Sequence, residues 1–190
     1  MAQTSTTLLS AKSHIADLSS KTDISFSASG SIYKIASTTT SLAGFKARDL
    51  ITITGSTSNN KTFTVKTGEV ATEIVVEEIV TNENAGASVT LDHTGFVSDK
   101  KKGDGYYSKP DGVHTVSYSV GATLTGLIKM QGSLATTPTE DDWFDIGDTT
   151  FNTDQSTQVS SANFTGNFVW VRAKATSVTA GTINSVMLNN

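Results

Sequence analysis

Residues Leu124 to Leu188 read LTGLIKMQGSLATTPTEDDWFDIGDTTFNTDQSTQVSSANFTGNFVWVRAKATSVTAGTINSVML. In this stretch, short apolar runs alternate with clusters of Gly, Thr, Ser, Asn and Asp, and helical periodicity is almost absent. That pattern is typical of an antiparallel β-sandwich, in which polar turns join short strands. We therefore predict an all-β module over residues 113–190, a β-sandwich of the jelly-roll kind.

The longest predicted strand of this module has two different faces. One face is apolar and small enough for a sandwich core, and it consists of Val169, Val171, Ala173 and Ala175. The opposite face mixes large aromatic rings with cations, and it consists of Phe168, Trp170, Arg172 and Lys174. Arginine and aromatic residues are enriched in the centres of protein interfaces. We predict Phe168, Trp170 and Arg172 as partner contacts; the alternative is that another part of the same chain covers this face.

Three motifs of the module occur in a specific order: the strand LTGLIKMQGSL, the corner WFDIG and the strand WVRAKAT. In that order they resemble the small β-sandwich modules of tailed-bacteriophage virion proteins. The resemblance implies a non-enzymatic structural protein of the virion, assembled in the host cytoplasm. Within that class we predict a capsid decoration (cement) protein, because the sequence contains no coiled-coil or collagen-like stalk that would build a long fibre. The resemblance also implies the major capsid protein or other virion subunits as partners, with many copies per particle and a homo-oligomer as one arrangement. A head fibre, neck or tail component is the alternative within the same class.

The composition of the 190-residue chain excludes several classes of fold, partner and site. Charged residues make up only 17% of the chain while β-branched residues are frequent, which favours sheet over helix. The net charge of -4 argues against a nucleic-acid partner, because such proteins usually carry a basic stripe. There is no cysteine, so disulfides and zinc–thiolate sites are excluded. The first residues lack the features of a secretory signal, and no apolar run approaches the roughly 20 residues of a membrane helix, so we expect no membrane partner.

Residues 23–92 are predicted to form a second, smaller all-β module. Apolar and polar residues alternate at Ile24–Ala28, a strand follows at Leu50–Thr54, and Ser58–Lys61 has the composition of a hairpin turn. Several short strands in so short a segment favour a compact barrel or sandwich, which leaves few open edges. The segments GFKARDLITITGS, NNKTFTV and GASVTL also resemble the small β modules of phage structural proteins.

Residues 1–22 are predicted to be an N-terminal arm. Leu8, Ala11, Ile15 and Leu18 lie at helical spacing, which indicates a short helix with one apolar stripe. A helix of this length is marginal in water by itself, and no neighbouring segment is expected to cover the stripe. We therefore predict that Leu8, Ile15 and Leu18 contact a neighbouring subunit; the alternative is a frayed terminus.

Residues 93–112 are predicted to be a linker, because they are rich in glycine, contain Pro110 and show no periodicity. Lys100–Gly105 (KKKGDG) superficially resembles a phosphate-binding loop, but it lacks the G-x-x-x-x-G-K-[ST] order and no helix is expected to follow. A solvated linker is the first interpretation, and a contact with an acidic neighbouring surface is the alternative. Tyr106 and Tyr107 could dock this segment onto a domain surface.

No residue pattern in the chain points to catalysis, a cofactor or a metal ion. His14, His93 and His114 lie in different segments, without the short spacing of a metal site. The acidic run Glu140–Asp142 lacks the spacing of a calcium loop, so a solvated loop is the first interpretation. There is no G-x-S-x-G nucleophile motif. We therefore predict that the protein is not an enzyme.

The two tryptophans, Trp143 and Trp170, leave a rival from a different class. Exposed and coplanar rings would form a sugar-stacking platform, and they would favour a carbohydrate-binding module for adsorption to a host. Burial is the more common fate of a tryptophan in a strand, and it would favour the structural role.

Overall fold

The computed structural model describes residues 5–107, 112–152 and 158–189, and within these ranges the chain consists mostly of strands and their connections. Two short 3-10 helices, Asp104–Tyr107 and Glu140–Asp142, interrupt them. In chain order the strands are β1 (Ser5–Leu9), β2 (Lys12–Ser13), β3 (Leu18–Lys21), β4 (Ile24–Ser29), β5 (Ile32–Ser37), β6 (Asp49–Thr54), β7 (Thr62–Thr67), β8 (Glu73–Val76), β9 (Val89–Val97), β10 (Lys101–Lys102), β11 (Val113–Val120), β12 (Thr125–Ser133), β13 (Phe144–Asp145), β14 (Phe151–Asn152), β15 (Val159–Thr165), β16 (Trp170–Ala180) and β17 (Thr182–Asn189). Among the described residues, no helix is long and apolar enough to cross a membrane. The predicted all-β fold is confirmed.

The chain divides into two compact units with different connectivity. The internal unit is one continuous segment, Ile15–Gly95, whereas the terminal unit combines Met1–His14 with Phe96–Asn190. These bounds differ from those of the predicted modules, 23–92 and 113–190. The difference arises because the residues predicted as an arm (1–22) and as a linker (93–112) are divided between the two units. The terminal unit is therefore discontinuous in sequence.

The terminal unit is a β-sandwich of two antiparallel sheets. In one sheet the strand order is β1-β17-β11-β15, and β2 also pairs with β17. In the other sheet β12 lies between β13 and β16, β14 pairs with β12, and β10 pairs with β16. β12 and β16 stay in register from Leu127↔Thr176 to Ser133↔Trp170. The three motifs noted in the sequence thus lie in and beside neighbouring strands of one sheet.

The core of the terminal unit lies between these two sheets. β16 contributes most of the predicted apolar face, since Val171, Ala173 and Ala175 are fully buried. β11 contributes every second residue from Val116 to Val120 to the same core. This alternation places one face of each strand against the opposite sheet, which is the arrangement that defines a sandwich.

The internal unit is an antiparallel sheet that curls around its own core. Its strand order is β9-β6-β7-β8-β5-β4, and β3 also pairs with β9. Residues from opposite ends of this order, such as Ile24 in β4 and Leu91 in β9, belong to one buried cluster. β6 and β7 pair on either side of the predicted hairpin turn Ser58–Lys61, with Ile51 opposite Phe63. That hairpin prediction is confirmed.

The predicted N-terminal helix is wrong, because the segment forms β1, β2 and β3. β1 pairs along β17 at the other end of the sequence. An irregularity in register between Thr7 and Leu9 allows two consecutive leucines, Leu8 and Leu9, both to be buried. Local spacing suggested a helix, but a distant partner strand satisfies the backbone groups of β1 instead.

The predicted linker over residues 93–112 is wrong for much of its length. β9 covers its first residues and β10 pairs with β16. The Gly105 N–H donates a hydrogen bond to the backbone oxygen of Phe168 at 2.9 Å, which holds the 3-10 helix against the start of β16. Pro110, the residue that suggested a break in structure, lies outside the described residues.

Glu83 closes the loop between β6 and β7 by accepting hydrogen bonds from four consecutive residues. The donors are the Ser56 hydroxyl, the backbone N–H groups of Thr57 and Ser58, and the Asn59 side-chain amide, at 2.7 to 3.2 Å. Burial alone would raise the pKa of Glu83, but these hydrogen bonds outweigh it and lower the pKa from 4.5 to about 2. The ionised form of Glu83 therefore stabilises the folded internal unit.

We expect Glu83→Gln to remove about 1–2 kcal/mol from the free energy of unfolding near neutral pH, because an amide is a weaker acceptor than a carboxylate. The pKa of Glu83 is lower in the folded state, so its contribution is full above pH 4.5 and is lost as the pH falls toward 2. Wild type and variant should therefore converge in stability in acid, as measured by urea unfolding at several pH values. Glu69→Gln is the matched control, because the Glu69 side chain is 67% exposed and lies 3.8 Å from Lys46. An identical pH dependence in wild type and Glu83→Gln would contradict this role.

Candidate functional site

Arg172 lies at the centre of a polar network on β12 and β16, although it is only 5% exposed. Its Nε donates to Gln131 Oε1 at 2.9 Å, and its two terminal nitrogens donate to the Glu140 carboxylate at 2.5 and 2.9 Å. The guanidinium also stacks on Trp143, with Cζ 4.1 Å from the ring centroid. A bidentate pair combined with stacking fixes the arginine in one orientation.

Two lysines extend this arginine network and line a shallow groove of about 210 Å³. Lys174 Nζ lies 3.7 Å from Glu140, and Lys129 Nζ donates to Asp145 at 2.7 Å. Burial alone would raise the pKa of Glu140, but the hydrogen bonds and charge of Arg172 hold that pKa below its ordinary value. The hydrogen bond from Lys129 likewise lowers the pKa of Asp145. Both carboxylates are thus ionised members of a structural network at neutral pH.

The acidic run Glu140–Asp142 serves the fold rather than forming a free solvated loop. Asp142 accepts hydrogen bonds from the backbone N–H and the hydroxyl of Thr139, and these bonds lower its pKa. Glu140 is the partner of Arg172. Among the residues that the structure describes, no three His, Cys, Asp or Glu side chains form a group that could hold a metal ion.

Two of the histidines are buried close to a carboxylate of their own unit. In the internal unit His93 Nε2 lies 3.8 Å from Asp49, and the Ile15 N–H donates to His93 Nδ1 at 3.3 Å. In the terminal unit His114 Nε2 lies 3.5 Å from Asp104. In each pair the carboxylate and the histidine come from different segments of the same unit.

A basic cleft of the terminal unit, of about 390 Å³, is lined by Thr6, Lys100, Lys101, Lys102, Tyr107 and Trp170. We call it the lysine cleft. Lys100 Nζ lies 4.8 Å from the centroid of the Trp170 ring, and Lys102 Nζ lies 3.9 Å from that of Tyr106. The hydrogen bond between Lys102 and Tyr106 raises the pKa of Lys102, so this ammonium group stays charged. The described lining of the cleft includes no acidic side chain.

The aromatic rings at the lysine cleft do not form a flat platform. The Tyr106 ring lies at 61° to that of Trp170, with centroids 5.1 Å apart, and at 73° to that of Tyr107. Trp143 is stacked against the Arg172 guanidinium. Edge-to-face contacts of this kind are typical of aromatic packing, whereas sugar stacking would need coplanar and uncovered rings.

The three predicted contacts around β16 have different environments. Phe168 is half-buried, and its ring packs against Gly132 and the core of the terminal unit. Arg172 is bound within its own chain, as described above. Trp170 is half-buried and donates from Nε1 to the backbone oxygen of Thr136 at 3.1 Å, but its ring also lines the lysine cleft. Phe168 and Arg172 therefore follow the alternative, in which other parts of the same chain cover this face of β16. A partner contact at Trp170 stays a prediction.

The three predicted contacts in the N-terminal segment pack on cores of their own chain. Leu8 is 7% exposed and belongs to the core of the terminal unit. Ile15 and Leu18 are half-buried against the core of the internal unit. The expectation that nothing nearby covers this apolar stripe is therefore wrong, because tertiary packing supplies the cover.

Sequence reasoning selected Arg172 but missed Gln131 and Glu140, which bind it. Gln131 carries little signal, because Lys129 and Ser133, its neighbours on the same face of the strand, are also polar. Glu140 carries none, since it lies in a polar loop 32 residues from Arg172. Its pairing follows only from the way β12, β13 and β16 come together.

No protein-family model matches the chain, and no curated protein matches its sequence. The arginine network, the lysine cleft and the resemblance of the three motifs are therefore the features that bear on function. The carboxylates of the arginine network are held in ion pairs, Asp145 with Lys129 and Glu140 with Arg172.

Proposed function

We propose that the chain is a non-enzymatic structural protein of a tailed-bacteriophage virion, and that it acts as a capsid decoration protein. Its partners would be the major capsid protein or other virion subunits, and many copies would be assembled on each particle. The observation that carries the proposal is the way the three resemblance motifs meet in the terminal unit.

The three motifs contribute to one packing unit. In register, Gln131 of β12 lies opposite Asp145 of β13 on one side and Arg172 of β16 on the other. The Gln131 side chain joins both, donating to Asp145 at 3.0 Å and accepting from Arg172 at 2.9 Å. Motifs far apart in sequence are thus linked by direct side-chain contacts, which supports a shared module over three chance similarities.

A decoration protein would stabilise a capsid by adding contacts across the boundaries between capsid subunits. A ligand that binds only the assembled state stabilises that state, and the gain is repeated at every equivalent site of the shell. A preformed β-sandwich suits this role, because little conformational entropy is lost when a rigid surface binds. The arginine network contributes to that rigidity by holding β12, β13 and β16 together.

The location and copy number of the protein test this proposal. Quantitative mass spectrometry of particles purified from a culture that produces the protein should give a copy number of the same order as that of the major capsid protein. Cryo-electron microscopy of those particles should place it on the outside of the head. A few copies at the neck, tail or fibres would replace the decoration role by one of those roles. Absence from the particles would overturn the structural proposal.

A carbohydrate-binding module for host adsorption is the rival function. If the chain had this function, Trp143→Ala or Trp170→Ala should abolish its binding to a glycan array and leave the melting temperature of the protein unchanged. The tilted rings of the lysine cleft and the stacking of Trp143 on Arg172 favour packing roles instead.

A further inference from the structure

We propose that the lysine cleft binds an acidic segment of another polypeptide. On the proposed function, which this inference deepens, that segment belongs to a neighbouring virion subunit. The inference rests on three features of the cleft: its concentrated positive charge, the placement of lysines over aromatic rings, and its position beside the outermost strand of a sheet.

The cleft is positively charged, although the chain as a whole carries a net negative charge. The net charge is -4, yet three consecutive lysines, Lys100–Lys102, line one concave surface. The acidic residue that follows them, Asp104, is directed elsewhere, since it accepts from the Gly112 N–H at 3.0 Å and lies 3.5 Å from His114. The cleft therefore presents a positive potential that an anionic partner would neutralise.

Two lysines of the cleft lie over aromatic rings, one ring in its lining (Trp170) and one beside it (Tyr106). Lys100 lies over Trp170, and Lys102 lies over Tyr106. Cation–π contacts restrict both ammonium groups, which lowers the entropic cost of binding an anion. A neutral sugar would have to displace the lysines before stacking on these rings, so the geometry favours a carboxylate-bearing ligand over a neutral glycan.

An extended polypeptide fits the surroundings of the cleft. Thr6, which lines it, belongs to β1, and β1 is the last strand in the order β1-β17-β11-β15 of the described sheet. An edge strand offers backbone hydrogen-bonding groups to an added strand, and adjacent side-chain pockets then supply specificity. Tyrosine and tryptophan, both present here, are the residues that most often dominate the binding energy of protein interfaces.

Fluorescence anisotropy of a labelled hexaglutamate peptide, titrated with the full chain, tests the inference. We expect binding at about 50 mM salt that weakens at about 500 mM salt, because surface charges are screened. The double variant Lys100→Gln/Lys102→Gln should bind about tenfold more weakly, since it lacks two of the charges that attract the peptide. Lys61→Gln is the matched control, because Lys61 also lies over an aromatic ring, 5.0 Å from the centroid of Phe63, but in the internal unit. Lys101→Gln provides an independent variant should the double variant melt at a lower temperature.

Three results would overturn the inference: no binding of hexaglutamate at low salt, equal binding by the wild type and both cleft variants, or tighter binding of a neutral oligosaccharide or of a single-stranded oligonucleotide of equal charge. The assay uses the isolated chain, so its failure would leave the location of the protein in particles untouched. Conversely, absence of the protein from particles would not contradict a site for acidic peptides. It would exclude only a virion subunit as the protein that supplies the acidic segment.

Discussion

Tyr118→Ala is expected to lower the free energy of unfolding of the terminal unit by about 3–5 kcal/mol, a large share of the stability of a small domain. Tyr118 is only 1% exposed. Its ring stacks on that of Phe151, with centroids 5.5 Å apart and planes 5° apart, and its hydroxyl donates to the backbone oxygen of Thr149 at 2.5 Å. The substitution would leave a cavity in the core and a buried oxygen without its donor.

Tyr118→Phe separates the packing of the ring from the hydrogen bond. It keeps the stacked ring and removes only the hydroxyl, so a loss of about 1–2 kcal/mol is expected. Burial raises the pKa of Tyr118 despite its hydrogen bond, so the hydroxyl is protonated at neutral pH, where both variants are compared by urea unfolding. If Tyr118→Ala cost no more than Tyr118→Phe, the packing explanation would be wrong.

Arg172→Glu is expected to cost the isolated protein about 2–4 kcal/mol, because it places a second carboxylate beside Glu140 in a largely buried site. The half-exposed position of Glu140, whose side chain is 44% exposed, keeps the expected loss below that of a fully buried pair. The contacts of the guanidinium with Gln131 and Trp143 would also be lost. Chemical unfolding of the isolated chain measures this loss.

The charge-swapped double variant Arg172→Glu/Glu140→Arg is the control for this prediction. Restoring opposite charges should recover at least about 1 kcal/mol relative to Arg172→Glu alone, as expected for two residues that interact directly. One result for Arg172→Glu alone would favour a partner contact instead. If Arg172→Glu left the isolated protein as stable as wild type and weakened only its binding to other subunits, the intrachain role of Arg172 would be refuted.

Strand alternation allowed much of the fold to be predicted from the sequence. Val171, Ala173 and Ala175 are buried as predicted, because a residue's face in a strand follows from its position alone. The hairpin at Ser58–Lys61 was equally accessible, since turn chemistry is local and the two strands it joins are adjacent in sequence. Such features depend on a few neighbouring residues.

Features that depend on distant partners could not be predicted in this way. The spacing of Leu8 and Ile15 fits a helix, but the strand β17 that pairs with β1 lies at the opposite end of the chain. The Arg172 face presented aromatic and cationic residues, yet only the assembled sheets show that Glu140 occupies the guanidinium. In both cases the residue types were informative and the identity of the partner was not.

The position of β17 between β1 and β11 has a consequence for the order in which the protein forms during synthesis. All strands of the internal unit are available once β9, which ends at Val97, has left the ribosome, whereas the terminal unit lacks a central strand of one sheet until Thr182–Asn189 has been made. Until then β1 and β11 are both without their shared neighbour, and the apolar residues they later bury are accessible to other chains. The internal unit should therefore fold first on the nascent chain, and chaperones or early ribosome release would affect the terminal unit most.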